Sequence, residues 1–180
     1  MPDAYLLDTS IASYVWDGGS KYNALVKAKL TKLNQNYISI CAVSLGEAAY
    51  GLEVSLGANP ERHTQVKQAM SCYKIYDIDR HTTIYYSRIR GDLFKKYSPR
   101  NKRGRLTKKW PEDLVDDTTA QDLGIQENDL WIVSVAVQYN LIFLTGDANM
   151  HPILTIAKSV YSYDRYEIWN LDDEYNKINP

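Results

Sequence analysis

Ala4 to Leu7 is a short apolar run that stops at Asp8-Thr9-Ser10. Tyr37-Ile38-Ser39-Ile40 and Leu141-Ile142-Phe143-Leu144 are equally short, and Tyr73 to Ile78 is a fourth segment of the same character. Brief apolar runs rich in β-branched and aromatic residues, bounded by polar ones, read as buried strands. Helical periods lie between them. Lys21 to Leu33 is amphipathic, Ser44 to Leu56 is rich in Ala, Leu and Glu, and a further helix runs from the fourth strand to about Lys96. Asp129 to Tyr139 carries Leu130, Val133 and Val137 at helical spacing. Strands alternating with helices predict a mainly parallel sheet covered on both faces, a three-layer α/β/α domain. In such sheets ligands bind beyond the carboxyl ends of the strands.

Length and composition change this picture little. The 180 residues suit a single domain spanning 1–180, with 44% hydrophobic and 24% charged residues, as in ordinary folded proteins. A net charge of −1 excludes a global electrostatic attraction to nucleic acid or membrane, so any such signal must be local. Cys41 and Cys72 lack CxxC spacing and read as small apolar fillers in a reduced protein. The apolar run at 4–7 is far too short for a signal or membrane segment, which points to the cytoplasm and no membrane partner. The four tryptophans, Trp16, Trp110, Trp131 and Trp169, show no stacking pattern and read as core or interface residues.

One segment is not periodic. Tyr97 to Gln121 is longer than most connections in compact domains and reads as an insertion or a functional loop. Between Lys95 and Lys109 it carries eight Lys or Arg and no acid, whereas Glu112 to Asp129 carries seven acids and no base. Arg100, Lys102, Arg103 and Arg105 are candidates for binding an RNA backbone; the alternative is a hairpin in which the bases neutralise the acids that follow.

The candidate chemistry lies in four carboxylates. Asp8 follows the first strand, Asp147 follows the 141–144 strand by two residues, and Glu47 and Asp129 stand at predicted helix starts. Singly, each is explained as a helix cap: Asp8 and Asp147 as N-caps, Ser44-Leu45-Gly46-Glu47 as a capping box, and Asn128-Asp129 as a helix N-terminus. Jointly, two of them occupy strand carboxyl ends, where this fold class binds ligands. Convergent carboxylates need raised pKa values or a cation. An all-oxygen set without a His or Cys cluster suits Mg²⁺ or Mn²⁺, which can activate water, polarise a phosphoryl oxygen and stabilise a leaving oxygen. Phosphodiester hydrolysis is the natural reaction. His63, His81 and His151 are too scattered to form a centre.

The ordered set Leu7-Asp8-Thr9-Ser10, Val43 to Leu52, Glu127 to Ile132 and Leu144-Thr145-Gly146-Asp147 resembles the PIN domain, particularly VapC-type toxins of toxin-antitoxin pairs. The resemblance implies a five-stranded parallel sheet, a Mg²⁺ site and endonucleolytic cleavage of RNA. It makes Asp8, Glu47, Asp129 and Asp147 the catalytic and metal-binding acids, with Thr9 and Thr145 supporting them. It also implies a small protein antitoxin docking near Tyr14, Val15, Trp16 and Tyr50, and leaves room for a homodimer. Three features depart from the pattern: the long 97–121 loop, Trp131 where a smaller residue is common, and Ala148-Asn149-Met150 after Asp147.

Other readings compete. A haloacid-dehalogenase-type phosphatase needs a second Asp where Ser10 stands, and a dinucleotide-binding fold needs a Gly-rich turn after the first strand. A non-catalytic binding module, or an RNA-processing PIN nuclease without an antitoxin, remain the alternatives.

Overall fold

The computed structural model describes residues 3–33, 37–55, 59–116 and 118–178. The chain forms two compact units. The first comprises residues up to 77, 141–147 and those from 166 onward; the second comprises 78–140 and 148–165.

The first unit holds the sheet. Strands β1 (Tyr5–Leu7), β2 (Ile38–Cys41), β3 (Lys74–Tyr76), β4 (Ile142–Thr145) and β5 (Tyr166–Ile168) are all parallel, in the order β3-β2-β1-β4-β5. The four segments read as strands are therefore strands, and β5 is the fifth. Leu7 pairs with Ile40 and Leu144, and these three join Ile11, Trp16, Val26 and Leu30 in one apolar cluster. Leu6 and Phe143, one residue earlier, point to the opposite face and are also fully buried. Both faces are covered, which explains why these strands are continuous apolar runs rather than alternating ones.

Helices α1 (Thr9–Trp16), α2 (Asn23–Leu30), α3 (Ala42–Val54), α4 (Pro60–Met70) and α8 (Leu171–Ile178) complete this unit. The 21–33 and 44–56 periods appear as α2 and α3, although Leu56 lies outside the described residues. Helix α1 starts where the apolar run of β1 stops, as the reading of Asp8 as an N-cap expects. Asp8 is the N-cap and accepts the Thr9 N–H at 2.8 Å. In α4, Asn59 caps the Glu61 N–H and Pro60 occupies the first turn, where its missing donor costs nothing.

The second unit contains α5 (Thr82–Tyr97), α6 (Glu127–Gln138) and α7 (His151–Tyr161). Asp79 accepts the His81 and Thr82 N–H groups at the start of α5 and the Gln138 amide at the end of α6, and these bonds hold its carboxyl down at about 2. Trp131 stacks on Tyr86 with ring centroids 3.7 Å apart, so its unusual bulk fills the α5–α6 contact. The 98–126 loop buries Leu114, Leu123 and Ile125, and polar side chains close its turns. Asn101 Oδ1 accepts the Arg103 and Arg105 N–H groups, and an antiparallel bridge joins Arg100 to Leu106. Asp116 organises a second turn in the same way, accepting from Thr118 and Thr119.

Two expectations are corrected. Cys72 is exposed rather than an apolar filler, because it lies in the turn after α4; Cys41 is buried as expected. Among the described residues no helix is long and apolar enough to cross a membrane. Among the described residues the basic run makes no ion pair with the acids of 112–122, although Asp116, held low chiefly by the Thr119 and Thr118 N–H groups, also feels the Lys96 charge. Among the described residues Lys95 pairs with Asp92, and no acid pairs with Arg100, Lys102, Arg103, Arg105, Lys108 or Lys109.

Phe143 is the largest fully buried side chain of the central strands. Phe143→Ala should cost about 3–5 kcal/mol in urea unfolding, the usual loss for a buried Phe replaced by Ala in a packed core.

Candidate active site

The sheet reverses its winding between β1 and β4: the chain leaves β1 for β2 and β3 on one side, and β4 leads to β5 on the other. A cleft at such a switch point is where parallel sheets bind ligands. Asp8 leaves β1 there, its backbone N–H bonded to the Leu144 carbonyl at 2.8 Å. Its side chain is 3% exposed. Besides the Thr9 N–H, it accepts the Ser10 hydroxyl at 2.7 Å and the Thr145 hydroxyl at 2.8 Å, both on Oδ2. An ordinary N-cap bonds amides of its own first turn. Asp8 instead spends one oxygen on hydroxyls, one of them from β4.

The two hydroxyls also receive. Thr145 Oγ1 takes the Asp147 N–H at 3.0 Å, and Ser10 Oγ takes the Gly146 N–H at 3.3 Å. The segments after β1 and β4 are thereby joined through Asp8. Burial pushes the Asp8 carboxyl above its ordinary value against the pull of its hydrogen bonds, and the Asp147 charge pushes it further up. Among the described residues, no Lys, Arg or His forms an ion pair with it.

Glu47 lies in α3, half-buried, and its Oε2 accepts the Thr9 hydroxyl. The expected Ser44–Glu47 capping box is not formed, because the N-cap of α3 is Cys41, three residues earlier. Ser44 is buried and its hydroxyl has no partner among the described residues. The bland explanation of Glu47 thus fails, and a contact with α1 replaces it. Asp147 is likewise no cap of α7, whose N-cap is Met150.

Asp129 belongs to the second unit. There it caps a helix start as its sequence context suggested, with the start two positions earlier: Gln126 is the N-cap, and Asp129 Oδ2 accepts the Gln126 N–H at 2.7 Å in a reciprocal capping box. Its neighbour Glu127 accepts the Tyr86 hydroxyl and pairs with Arg90 at 3.3 Å, while burial raises its carboxyl pKa. Among the described residues, no three His, Cys, Asp or Glu side chains stand together as a ready metal-holding group. The acids of the first unit are linked through hydroxyls: Asp8 to Ser10 and Thr145, Glu47 to Thr9. Their donors are all oxygens, the chemistry that suits a hard divalent cation.

A family model, the PIN domain, matches residues 5–153. The chain belongs to the PIN domain family. Solved structures share this PIN fold: VapBC2 from Rickettsia felis bound to a DNA fragment from its promoter is 21% identical, with 92% of this chain and 98% of that chain covered at a TM-score of 0.56. DNA-bound VapBC from Salmonella typhimurium is 18% identical, with 93% and 98% covered and a TM-score of 0.60. VapBC-5 from Mycobacterium tuberculosis, a member of the VapBC family of toxin-antitoxin systems, is 19% identical, with 93% and 98% covered and a TM-score of 0.52. No curated protein matches the chain.

Ser10 is the site residue that sequence reasoning missed. The pattern marked it only as the position where a phosphatase would need Asp, yet it holds the buried carboxylate of this PIN domain. Its spacing, two residues beyond Asp8 at a helix start, was the available signal. Trp16, expected near a docking surface, is 6% exposed and belongs to the core cluster. Tyr50 is 69% exposed. A cavity of about 340 Å³ lies beside Thr9 and Glu47, walled by Trp16, Leu52 and Val66.

The sign of the Asp8 shift makes a prediction. With its carboxyl raised above 3.8, the folded chain holds more protons than the unfolded one as pH rises from that value, so the group's contribution to stability falls across this window. Asp8→Asn has no such titration. In chelator at pH 7 it should melt at or above the wild type, and the two melting temperatures should approach each other below pH 3.8. A lower-melting Asn variant at pH 7 would mean that lost hydrogen bonds outweigh the buried charge.

Proposed function

We propose that this PIN domain is a divalent-metal-dependent endoribonuclease and the toxin of a toxin-antitoxin pair. The observation that carries the reading is Asp8: a carboxylate 3% exposed at the switch point, held by hydroxyls, adjoined by a second acid, and in no ion pair among the described residues. A structure that needed only a helix cap would leave this group at the surface. Burying it beside Asp147 is costly unless a cation is meant to join them.

Asp8, Glu47 and Asp147 would hold Mg²⁺ or Mn²⁺, with Thr9 and Thr145 orienting the carboxylates. Asp129, in the second unit, is proposed as the fourth acid on the family resemblance alone. The bound cation would supply Lewis acidity toward a phosphodiester. The chain's own part is to orient. Thr145 and Ser10 fix the Asp8 oxygens, and the Thr9 hydroxyl fixes Glu47. The exposed basic turn bearing Arg100, Lys102, Arg103 and Arg105 would collect RNA that an acidic cleft repels. Membership of the PIN family and the likeness to VapBC structures support a nuclease with a protein antitoxin. Tyr50 and Val54, exposed on α3, are the apolar surface offered to that partner.

Purified protein should cut a mixed-sequence RNA internally in Mg²⁺ or Mn²⁺ and not in chelator. Asp8→Asn and Asp147→Asn should each lower the rate by about a hundredfold or more while circular dichroism stays unchanged, and Asp129→Asn should follow them. Wild-type rates in a folded Asp8→Asn protein would overturn the assignment. Production of the wild type alone should arrest growth; harmless production of an active enzyme would favour an RNA-processing nuclease without an antitoxin.

A further inference from the structure

The second unit carries a cavity of about 440 Å³ between the C-terminal half of α5 and the 106–109 segment of the loop. Its charged lining is entirely basic: Arg90, Lys95, Lys108 and Lys109, beside the apolar Phe94 and Leu106. Lys95 is offset by Asp92 and Arg90 by Glu127. Lys108 and Lys109 have no ion-pair partner among the described residues, so the cavity keeps at least their two charges in excess.

Arg90 is the feature that makes this more than a solvated charge run. Its guanidinium lies over the Phe94 ring at 4.6 Å, its Nε bonds Glu127 at 3.3 Å, and its Nη2 donates to the Lys109 carbonyl at 2.7 Å. Three contacts hold a planar cation in place along the cavity wall. The same hydrogen bond to Lys109 also fixes the loop that supplies the free lysines, and the Lys108 N–H is anchored on the Ser98 hydroxyl at 3.1 Å. A wall that combines an immobilised guanidinium, apolar carbons and unpaired ammonium groups matches one chemistry: a flat base against the guanidinium with its phosphates on the lysines. An acidic peptide would use the lysines but leave the flat cation and apolar wall without purpose.

We infer that this cavity is a single-stranded RNA subsite, seating one unstacked base against Arg90 and Leu106 and its flanking phosphates on Lys108 and Lys109. The subsite is separate in sequence from the exposed turn at 100–105, and it rests on the proposal that RNA is the substrate class. Backbone contacts would position the strand, and the base contact would tolerate many bases because each has a flat face.

The test is binding of a fluorescent decauridine to the full chain in chelator, where no cleavage occurs. Lys108→Gln with Lys109→Gln should weaken binding about tenfold and flatten the slope of log affinity against log salt by about 1.4, the value for two phosphate contacts on a single strand. A decamer of abasic ribose phosphate should bind the wild type about tenfold more weakly than decauridine, as expected for the loss of one stacked base. Arg90→Lys should narrow that difference while its melting curve reports whether the fold is kept; where it melts early, Leu106→Ser serves as the second probe of the same wall. Equal binding of the abasic decamer to the wild type overturns the base subsite and leaves only a polyanion site. An unchanged affinity and salt slope in the double Gln variant overturns it as well, as does polyglutamate binding as tightly as RNA. Failure of metal-dependent cleavage by the wild type would instead sink the nuclease reading, a result separate from binding in chelator.

Discussion

A carboxylate held out of water at the junction of β1 and β4 is the constraint on which this site depends. Asp8 can stay there because three donors face it, the Thr9 N–H and the Ser10 and Thr145 hydroxyls, and because each hydroxyl passes its acceptor capacity to the segment after β4. Those bonds require β1 and β4 to be neighbours in one register, with Leu7 opposite Leu144. The register in turn depends on apolar burial on both faces, since a slip by one residue would exchange Leu6 and Phe143 with Leu7 and Leu144 and carry Asp8 away from Thr145. Packing and chemistry are thus the same requirement seen at two distances from the cleft.

The hydrogen bonds do not fully offset the cost of burial. The Asp8 carboxyl remains raised despite three favourable contacts, because desolvation outweighs them and Asp147 adds repulsion. A protein selected for stability alone has cheaper ways to cap an eight-residue helix. The same logic distinguishes Asp79, which makes comparable bonds at the surface and is held low by them. Two aspartates with similar numbers of donors have opposite shifts, and solvent access is the difference. Asp79 is a structural clasp between α5 and α6, whereas Asp8 joins the segments after β1 and β4 at the cost of desolvation.

The long loop obeys a different rule. Leu114, Leu123 and Ile125 anchor it in the core, while Asn101 and Asp116 shape its turns by accepting backbone N–H groups within a few residues. Local bonding of this kind leaves side chains outward, which is why the lysines and arginines stay exposed instead of pairing with the acids that follow. Charge alternation along the sequence suggested mutual neutralisation. The two turns are each closed internally, and no contact of that kind is needed to hold them.

The apolar runs at 5–7, 38–41 and 142–145 determined the parallel sheet without help, because short continuous hydrophobic stretches suit only strands covered on both faces. The positions of Asp8 and Asp147 at strand ends were legible for the same reason. The start of α1 was legible as well, in the reading of Asp8 as an N-cap. The true start of α3 was hidden: Ser-x-x-Glu is a local pattern, and the tertiary structure puts the N-cap three residues earlier, at Cys41, leaving Glu47 to Thr9. Only the tertiary structure decided that Ser10 and Thr145 share one carboxylate, or that Arg90 is pinned between Phe94 and the backbone of Lys109. Such contacts join residues far apart in the chain, or depend on which face a helix turns inward, and local sequence carries no record of either.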